Sequence, residues 1–290
     1  MPTIFNAAAR QARFIPEIWI SQIFEAIDAN LVIGSSLVVN RDYEGEIQRA
    51  GDTVRIPTVV DPATAPYDPL VGFAGDPAEP ISNSLTFEIE KANSFRFRVE
   101  DITRVQSQIG GQFMDHGTTR AGRKLAEDAD RYVADKIVTA LASGAGNRLI
   151  DIDLAATNDA VYKQLIQAKV ELDKTNTPQS GRFMVVSPDL YGILLNDNRF
   201  IDASRFDSDA PIKNGVIGRI LGFTVATCNV MPATVHMIGG HQIATTYADQ
   251  ITEIEYYRPE KFFADAVRGL HVYGAKVMRP EHLVVGKIIP

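Results

Sequence analysis

The chain is poor in the residues that most often announce chemistry. It has one cysteine, Cys228, and one tryptophan, Trp19, in 290 residues. A single cysteine excludes an intrachain disulfide framework, and without a partner it reads as a small buried apolar side chain rather than a nucleophile. The five histidines, His116, His236, His241, His271 and His282, follow no HExxH or other metal-ligand spacing. His236 and His241 flank a turn and are spaced to share a metal, but a structural role is the preferred reading. Gly110-Gly111 and Gly215-x-x-Gly218 read as glycine turns, not phosphate loops. The aspartates from Asp202 to Asp209 read as a solvated loop before a cation site. No catalytic, cofactor-binding or metal-binding residue is assigned, and no cofactor is expected.

Positive charge is also scarce. Lysine and arginine number 29 against 36 aspartates and glutamates, for a formal net charge of −7. That balance argues against a protein that grips nucleic acid by its phosphates, which needs a basic field. No run approaches the roughly 18 apolar residues of a membrane-spanning helix, and the N-terminus lacks the basic-then-apolar layout of a signal peptide. The expectation is a protein made and used in a cytoplasm, with no membrane partner. At 45% hydrophobic and 22% charged, the chain can fill a large core or two lobes.

What is present is organised around residues 118–143, TTRAGRKLAEDADRYVADKIVTALAS. Leu125, Ala129, Tyr132, Val133, Ile137, Ala140 and Leu141 recur at three- and four-residue steps, which predicts one apolar helix face. Thr118 or Thr119 is the expected cap, Arg123/Glu127, Glu127/Arg131 and Arg131/Asp135 lie one turn apart, and Gly144 suits a left-handed stop. Such a helix is about 35–40 Å long. It is either an ordinary core helix or a spine for other segments to lie against.

Ahead of it, residues 1–14 hold little that forms a core and read as an arm. A short helix starts near Phe14-Ile15-Pro16, with Ile20, Ile23 or Phe24, Ile27 and Leu31 on its apolar face. Residues 54–60 begin as a strand and 84–90 alternate with period two. Between them stand Pro62, Pro66, Pro69, Pro77 and Pro80 with almost no core formers. A structureless loop of that length is improbable inside a compact domain, so a long two-stranded arm with a proline-stiffened tip is predicted. Alone in water such a hairpin is marginal, and it needs a neighbour. Asp52, Asp61, Asp68, Asp76, Glu79, Glu88 and Glu90 stand against Arg55, so it reads either as a solvated acidic flap or as a docking arm seeking a basic surface. Residues 95–99 alternate as a half-buried strand.

Behind the spine the pattern changes to a small α/β lobe. Residues 158–174 predict a helix with Val161, Leu165, Ala168 and Leu172 inward, and Phe183 to Val186 a central strand. Ser187-Pro188-Asp189 opens a further helix, residues 196–218 read as polar loop, and 221–226 as strand. From Val235 the chain is mostly strand, with runs at 251–257, 266–278 and 282–289 broken at Arg258-Pro259 and Arg279-Pro280.

The order FIPEIW, NRDYEGEI, GDTVRIPT, the spine, SPDLYGIL, GRILGFTVATCNVMP and LHVYGAKVMRPEHLVV resembles the major capsid proteins of tailed bacteriophages. The likeness spans nearly the whole chain. It implies an α+β Hong Kong 97 capsid fold with an N-terminal arm at 1–51, an extended loop at 52–91 and a peripheral domain at 92–150 plus 251–278. An axial domain would occupy 151–250, joined by a C-terminal strand at 279–290. It further implies self-assembly into hexamers and pentamers of an icosahedral head enclosing double-stranded DNA, in a virion assembled in the host cytoplasm. Scaffold, portal and decoration proteins are the implied partners, with DNA touched by weak contacts only, through Arg10 and Arg13. An encapsulin, a cellular nanocompartment of the same fold, is the alternative.

Two departures narrow the resemblance. Some members join a loop lysine covalently to an asparagine of a neighbour, yet no lysine occurs between Val54 and Glu90, so non-covalent stabilisation is expected unless Lys91 substitutes. Some members carry a scaffolding region ahead of the arm; here Met1 begins almost at the arm, and a separate scaffold protein or none is expected. Asp61, Asp68, Asp76 and Glu79 of one copy are expected to meet Arg96, Arg98, Arg120, Arg123 and Lys124 of the next.

Overall fold

The computed structural model describes residues 23, 25–42, 53–59, 69–70, 82–102, 113–143, 148–153, 158–196 and 216–288. Expectations for the arm before residue 23, the tip of the hairpin loop, 103–112, 144–147 and 197–215 lie outside the described residues. So do Asp61, Asp68, Asp76 and Glu79, and the aspartates from 202 to 209.

Three sheets and three main helices make up the described fold. β1 (Thr53–Val59) and β2 (Ser82–Glu88) pair antiparallel, from Thr53 opposite Glu88 to Val59 opposite Ser82, forming the expected two-stranded hairpin. β3 (Lys91–Glu100) follows after Ile89-Glu90 and forms an edge of a second sheet, in the order β3-β10-β9, with β9 (Thr245–Tyr257) and β10 (Ala264–Val277). β9 runs through the 250/251 boundary expected between axial and peripheral parts.

α1 (Phe113–Ala142) is the spine, 30 residues long or about 45 Å. It starts before the expected Thr118, which is a buried helix residue and not a cap. Leu125, Ala129, Val133, Ile137 and Leu141 are buried along it as the three-and-four spacing requires. Each large aliphatic side chain among them contributes roughly 1.5–3 kcal/mol on burial. They pack with Ile23, Ile27 and Leu31 of the N-terminal segment and with Val267, Tyr273 and Ala275 of β10.

The third sheet runs β4-β11-β8-β5-β7-β6 and is mixed. Its strands are β4 (Leu149–Asp151), β5 (Arg182–Val186), β6 (Val216–Ile220), β7 (Phe223–Thr227), β8 (Val235–His241) and β11 (Leu283–Lys287). α2 (Asn158–Lys174) and α3 (Pro188–Leu195) cover one face. Ser187 caps α3, its hydroxyl accepting from the Leu190 amide at 3.3 Å, with Pro188 in the first turn. β5 is buried at every position because it is covered twice. Met184 and Val186 enter the core under α2 and α3, while Phe183 and Val185 enter the core that holds the spine.

The strand expected at 221–226 divides. Leu221 and Gly222 have φ of 52° and 88° and form the tight turn of the β6–β7 hairpin, where positive φ at both central residues matches strand twist. The polar loop accordingly ends before Val216.

Candidate functional site

A groove of about 830 Å³ runs between β3 and α1. Residues 92–99 line one wall in unbroken succession, and Gly117, Arg120, Ala121, Lys124, Leu125 and Asp128 line the other. Phe95 and Phe97 turn inward and stack, with centroids 6.4 Å apart, while Arg96 and Arg98 on alternate positions stay exposed.

Of the basic candidates, Arg96, Arg98, Arg120 and Lys124 are thus brought to one groove. Arg123 does not line it; that side chain is 70% exposed and pairs along the helix with Glu127 at 3.4 Å. Glu127 also accepts from Lys124 at 3.2 Å, and Asp128 lies 3.7 Å from the same ammonium. Arg98 is held over the Phe262 ring at 3.7 Å and 3.5 Å from Glu100. Arg96 stands opposite Arg268 of β10, which is itself opposite Glu255 of β9. Arg268 donates from Nε to Glu255 at 2.6 Å and lies over the Tyr257 ring. Arg96 and Arg268 therefore stand in direct cross-strand register, where like charges are unfavourable.

The hairpin root is fastened by contacts that sequence reasoning missed. Glu90, counted there among acids seeking a neighbour, accepts from Lys136 of α1 at 2.6 Å and from the Tyr132 hydroxyl at 3.3 Å. The Lys136 hydrogen bond is the main cause that holds the Glu90 carboxyl below its usual range, and Glu90 in turn raises Lys136. Lys276 donates to the Thr86 carbonyl. At Gly274 a Cβ would come within 2.6 Å of the Glu88 carbonyl oxygen, so β10 approaches the root closely because it has no side chain there.

Residues 31–42 are tied down by two buried carboxylates. Asp130 of α1 accepts from the amides of Val32 at 3.0 Å and Gly34 at 2.7 Å; burial raises its carboxyl to about 6 despite those bonds. Asp249 accepts from Arg41 at 2.9 Å and the Tyr247 hydroxyl at 3.1 Å, and lies 3.3 Å from His271 Nε2. Burial is the largest influence on Asp249 and acts upward, but the hydrogen bond from His271 and the charge of Arg41 outweigh it and hold the carboxyl low. Asp130 did carry a sequence signal, an acid on the apolar stripe of the spine. Arg41 and Asp249 carried none.

The residues weighed for chemistry are occupied otherwise. His236 Nδ1 meets the Ser187 hydroxyl at 3.2 Å; His241 Nε2 meets the Ser180 carbonyl at 2.8 Å while its Nδ1 accepts from the Ile243 amide. Their rings do not converge on a shared metal, and among the described residues no group of three or more His, Cys, Asp or Glu is placed to hold one. Cys228 is buried, which pushes its thiol up to about 11 and away from nucleophilic use.

Residues 82–286 match the model of a family described as phage capsid protein. No curated protein matches the chain. Among solved structures, one from Mycobacterium phage Che8 is 29% identical with a TM-score of 0.66, covering 88% of this chain and 90% of the other. The capsid structure of cyanophage P-SCSP1u is 14% identical with a TM-score of 0.63, covering 83% of this chain and 84% of the other. A virus-like particle from Pyrococcus furiosus is 14% identical with a TM-score of 0.59, covering 93% and 98%. The α+β Hong Kong 97-like capsid fold expected from the sequence is the fold these likenesses share.

Proposed function

This chain belongs to the phage capsid protein family, a structural protein of the virion shell, and from that premise we propose that it assembles into hexamers and pentamers of an icosahedral head enclosing double-stranded DNA. The observation that carries the reading is the family match across 82–286, which includes the second hairpin strand, the spine and both larger sheets. We assign the chain no catalytic step. Its parts are an arm at 1–51, an extended loop at 52–91, a peripheral domain at 92–150 plus 251–278, an axial domain at 151–250 and a returning strand at 279–290.

In this reading the acidic loop of one copy, with Asp61, Asp68, Asp76 and Glu79, crosses its neighbour and meets the groove where Arg96, Arg98, Arg120 and Lys124 gather. An exposed ion pair contributes about 0–1 kcal/mol, but symmetry repeats it hundreds of times. DNA is touched weakly, through Arg10 and Arg13, and scaffold, portal and decoration proteins are the other partners. Assembly takes place in the host cytoplasm.

Negative-stain microscopy of the purified chain, alone and with a candidate scaffold protein, tests this reading. Closed shells are expected, and particles from infected cells should contain double-stranded DNA. A chain that stays a dispersed monomer under every condition overturns it, and shells that enclose proteins instead of DNA favour a cellular nanocompartment.

A further inference from the structure

The chain crosses directly between the six-stranded and the three-stranded sheet at two short helical turns. One is Gln242–Ala244, between β8 and β9, and the other is Pro280–His282, between β10 and β11. The crossings lie against each other: the amides of Met278 and Arg279 both donate to the Ala244 carbonyl, at 2.8 and 3.1 Å. Each crossing carries a histidine, His241 at the head of the first and His282 at the end of the second. The same loop, residues 175–181 between α2 and β5, holds both rings.

His241 is buried and uses both ring nitrogens. Nε2 faces the Ser180 carbonyl at 2.8 Å and must donate, while Nδ1 accepts from the Ile243 amide at 3.2 Å and caps the turn. The two bonds together require a neutral ring with its proton on Nε2. A second proton, on Nδ1, would point at the Ile243 amide hydrogen and uncap the turn. It would also set a positive charge directly opposite Arg182, the cross-strand partner of His241 in β5. Arg182 is buried as well, with its guanidinium committed to Asp173 at 2.7 Å and to the carbonyls of Pro178 and Thr177 at 2.8 and 2.6 Å.

His282 Nδ1 lies 2.9 Å from the Thr177 hydroxyl. That hydroxyl lies 3.1 Å from Thr175, which accepts from Arg148 at 3.3 Å. Burial is the main cause that holds the His282 imidazole below its ordinary range; Glu281 acts upward, and Arg279, His241 and Arg148 add to the lowering. Around the two rings stand Arg148, Arg182 and Arg279, with Asp173 and Glu281 as the carboxylates among them, while Lys174 is paired with Glu171 at 2.7 Å.

We propose that His241 and His282 form an acid-sensitive joint: when they take up protons, loop 175–181 lets go of both crossings and the link between the two sheets loosens. The sign follows from the charges. A histidine held below its ordinary 6.5 contributes stability that is complete above that pH and is lost as pH falls. The joint lies within a single copy and stands or falls apart from the assembly reading.

Hydrogen exchange of the dispersed chain, corrected for the intrinsic pH dependence of amide exchange, tests the joint, with the histidine rings followed in parallel by NMR. Between about pH 7.5 and about pH 5, the range in which histidine charges, the amides of Thr177 and Ile243 should open at least about tenfold more often. Amides in the middle of β5 and β8 should stay protected, and the midpoint should coincide with titration of the His241 or His282 ring. Asp130 titrates in the same range but stabilises the fold as pH falls, so it moves exchange the other way. His241→Gln and His282→Asn cannot take up the proton, and each should remove a large part of the acid effect. Opening that does not change with pH overturns the proposal, as does an acid effect that survives in both variants. If a variant fails to fold, the native chain decides: an opening midpoint at which neither ring titrates overturns the joint, and a coincident one supports it.

Discussion

Arg96 and Arg268 face each other on adjacent strands, and Arg268 donates to the Glu255 carboxylate. A substitution at this point should therefore act in opposite directions on the chain and on its assembly. Arg96→Glu replaces a repulsive cross-strand pair by an attractive one and should stabilise the dispersed chain by about 0.2–1 kcal/mol in urea unfolding. The same change removes a positive charge from the groove and should lower the denaturant concentration at which shells come apart. Parallel movement of the two measurements would separate Arg96 from assembly.

Charge reversal at Asp61, Asp68 and Asp76 together should weaken shells while the unfolding midpoint of the dispersed chain stays unchanged. The defect should shrink at high salt, where the native pairs are screened as well. Sedimentation across a salt series measures it. Mass spectrometry of intact particles should find monomer mass only, since no lysine lies between Val54 and Glu90 to form a covalent ladder.

Asp130 sets a pH dependence with a definite sign. Its carboxyl lies near 6 when folded against 3.8 otherwise, so the folded chain binds the proton more tightly. Stability from this group is complete below about pH 4 and is lost as pH rises through 6, a change of roughly 3 kcal/mol. Asp130→Asn cannot titrate. The stability of the native chain relative to that variant should therefore rise as pH is lowered from 7 to 4, as followed by urea unfolding.

Gly274→Val would drive a side chain into the Glu88 carbonyl oxygen and the Ile89 backbone, neither of which can rotate away. The hairpin root must shift, at a cost of about 1–3 kcal/mol. Limited proteolysis between residues 53 and 88 should accelerate, with α2 and the six-stranded sheet unaffected.

The elements that were legible in the sequence are those whose signal is local. α2 matches its expected bounds because Val161, Leu165, Ala168 and Leu172 hold a helical period, and Ser187-Pro188 marks a helix start by its own chemistry. The hairpin was legible from the alternation of residues 84–90 and the prolines ahead of it. Leu221-Gly222 was misread because an apolar residue beside a strand looks like part of it, and only its positive φ reveals the turn. The groove was half legible: Arg120 and Lys124 suggested themselves as exposed charges on the spine, and Arg96 and Arg98 as the outward half of an alternating strand. Arg268 was not, because its place beside Arg96 depends on strand register between distant segments. The tie of Arg41 to Asp249 spans 208 residues and leaves no local pattern.

Because successive side chains of β5 belong to different cores, the six-stranded sheet is a party wall. Prising the two halves apart would tear both interiors at once. A tile built this way behaves as one stiff piece under load, and internal pressure on a head made of such tiles would be taken up at the seams between them.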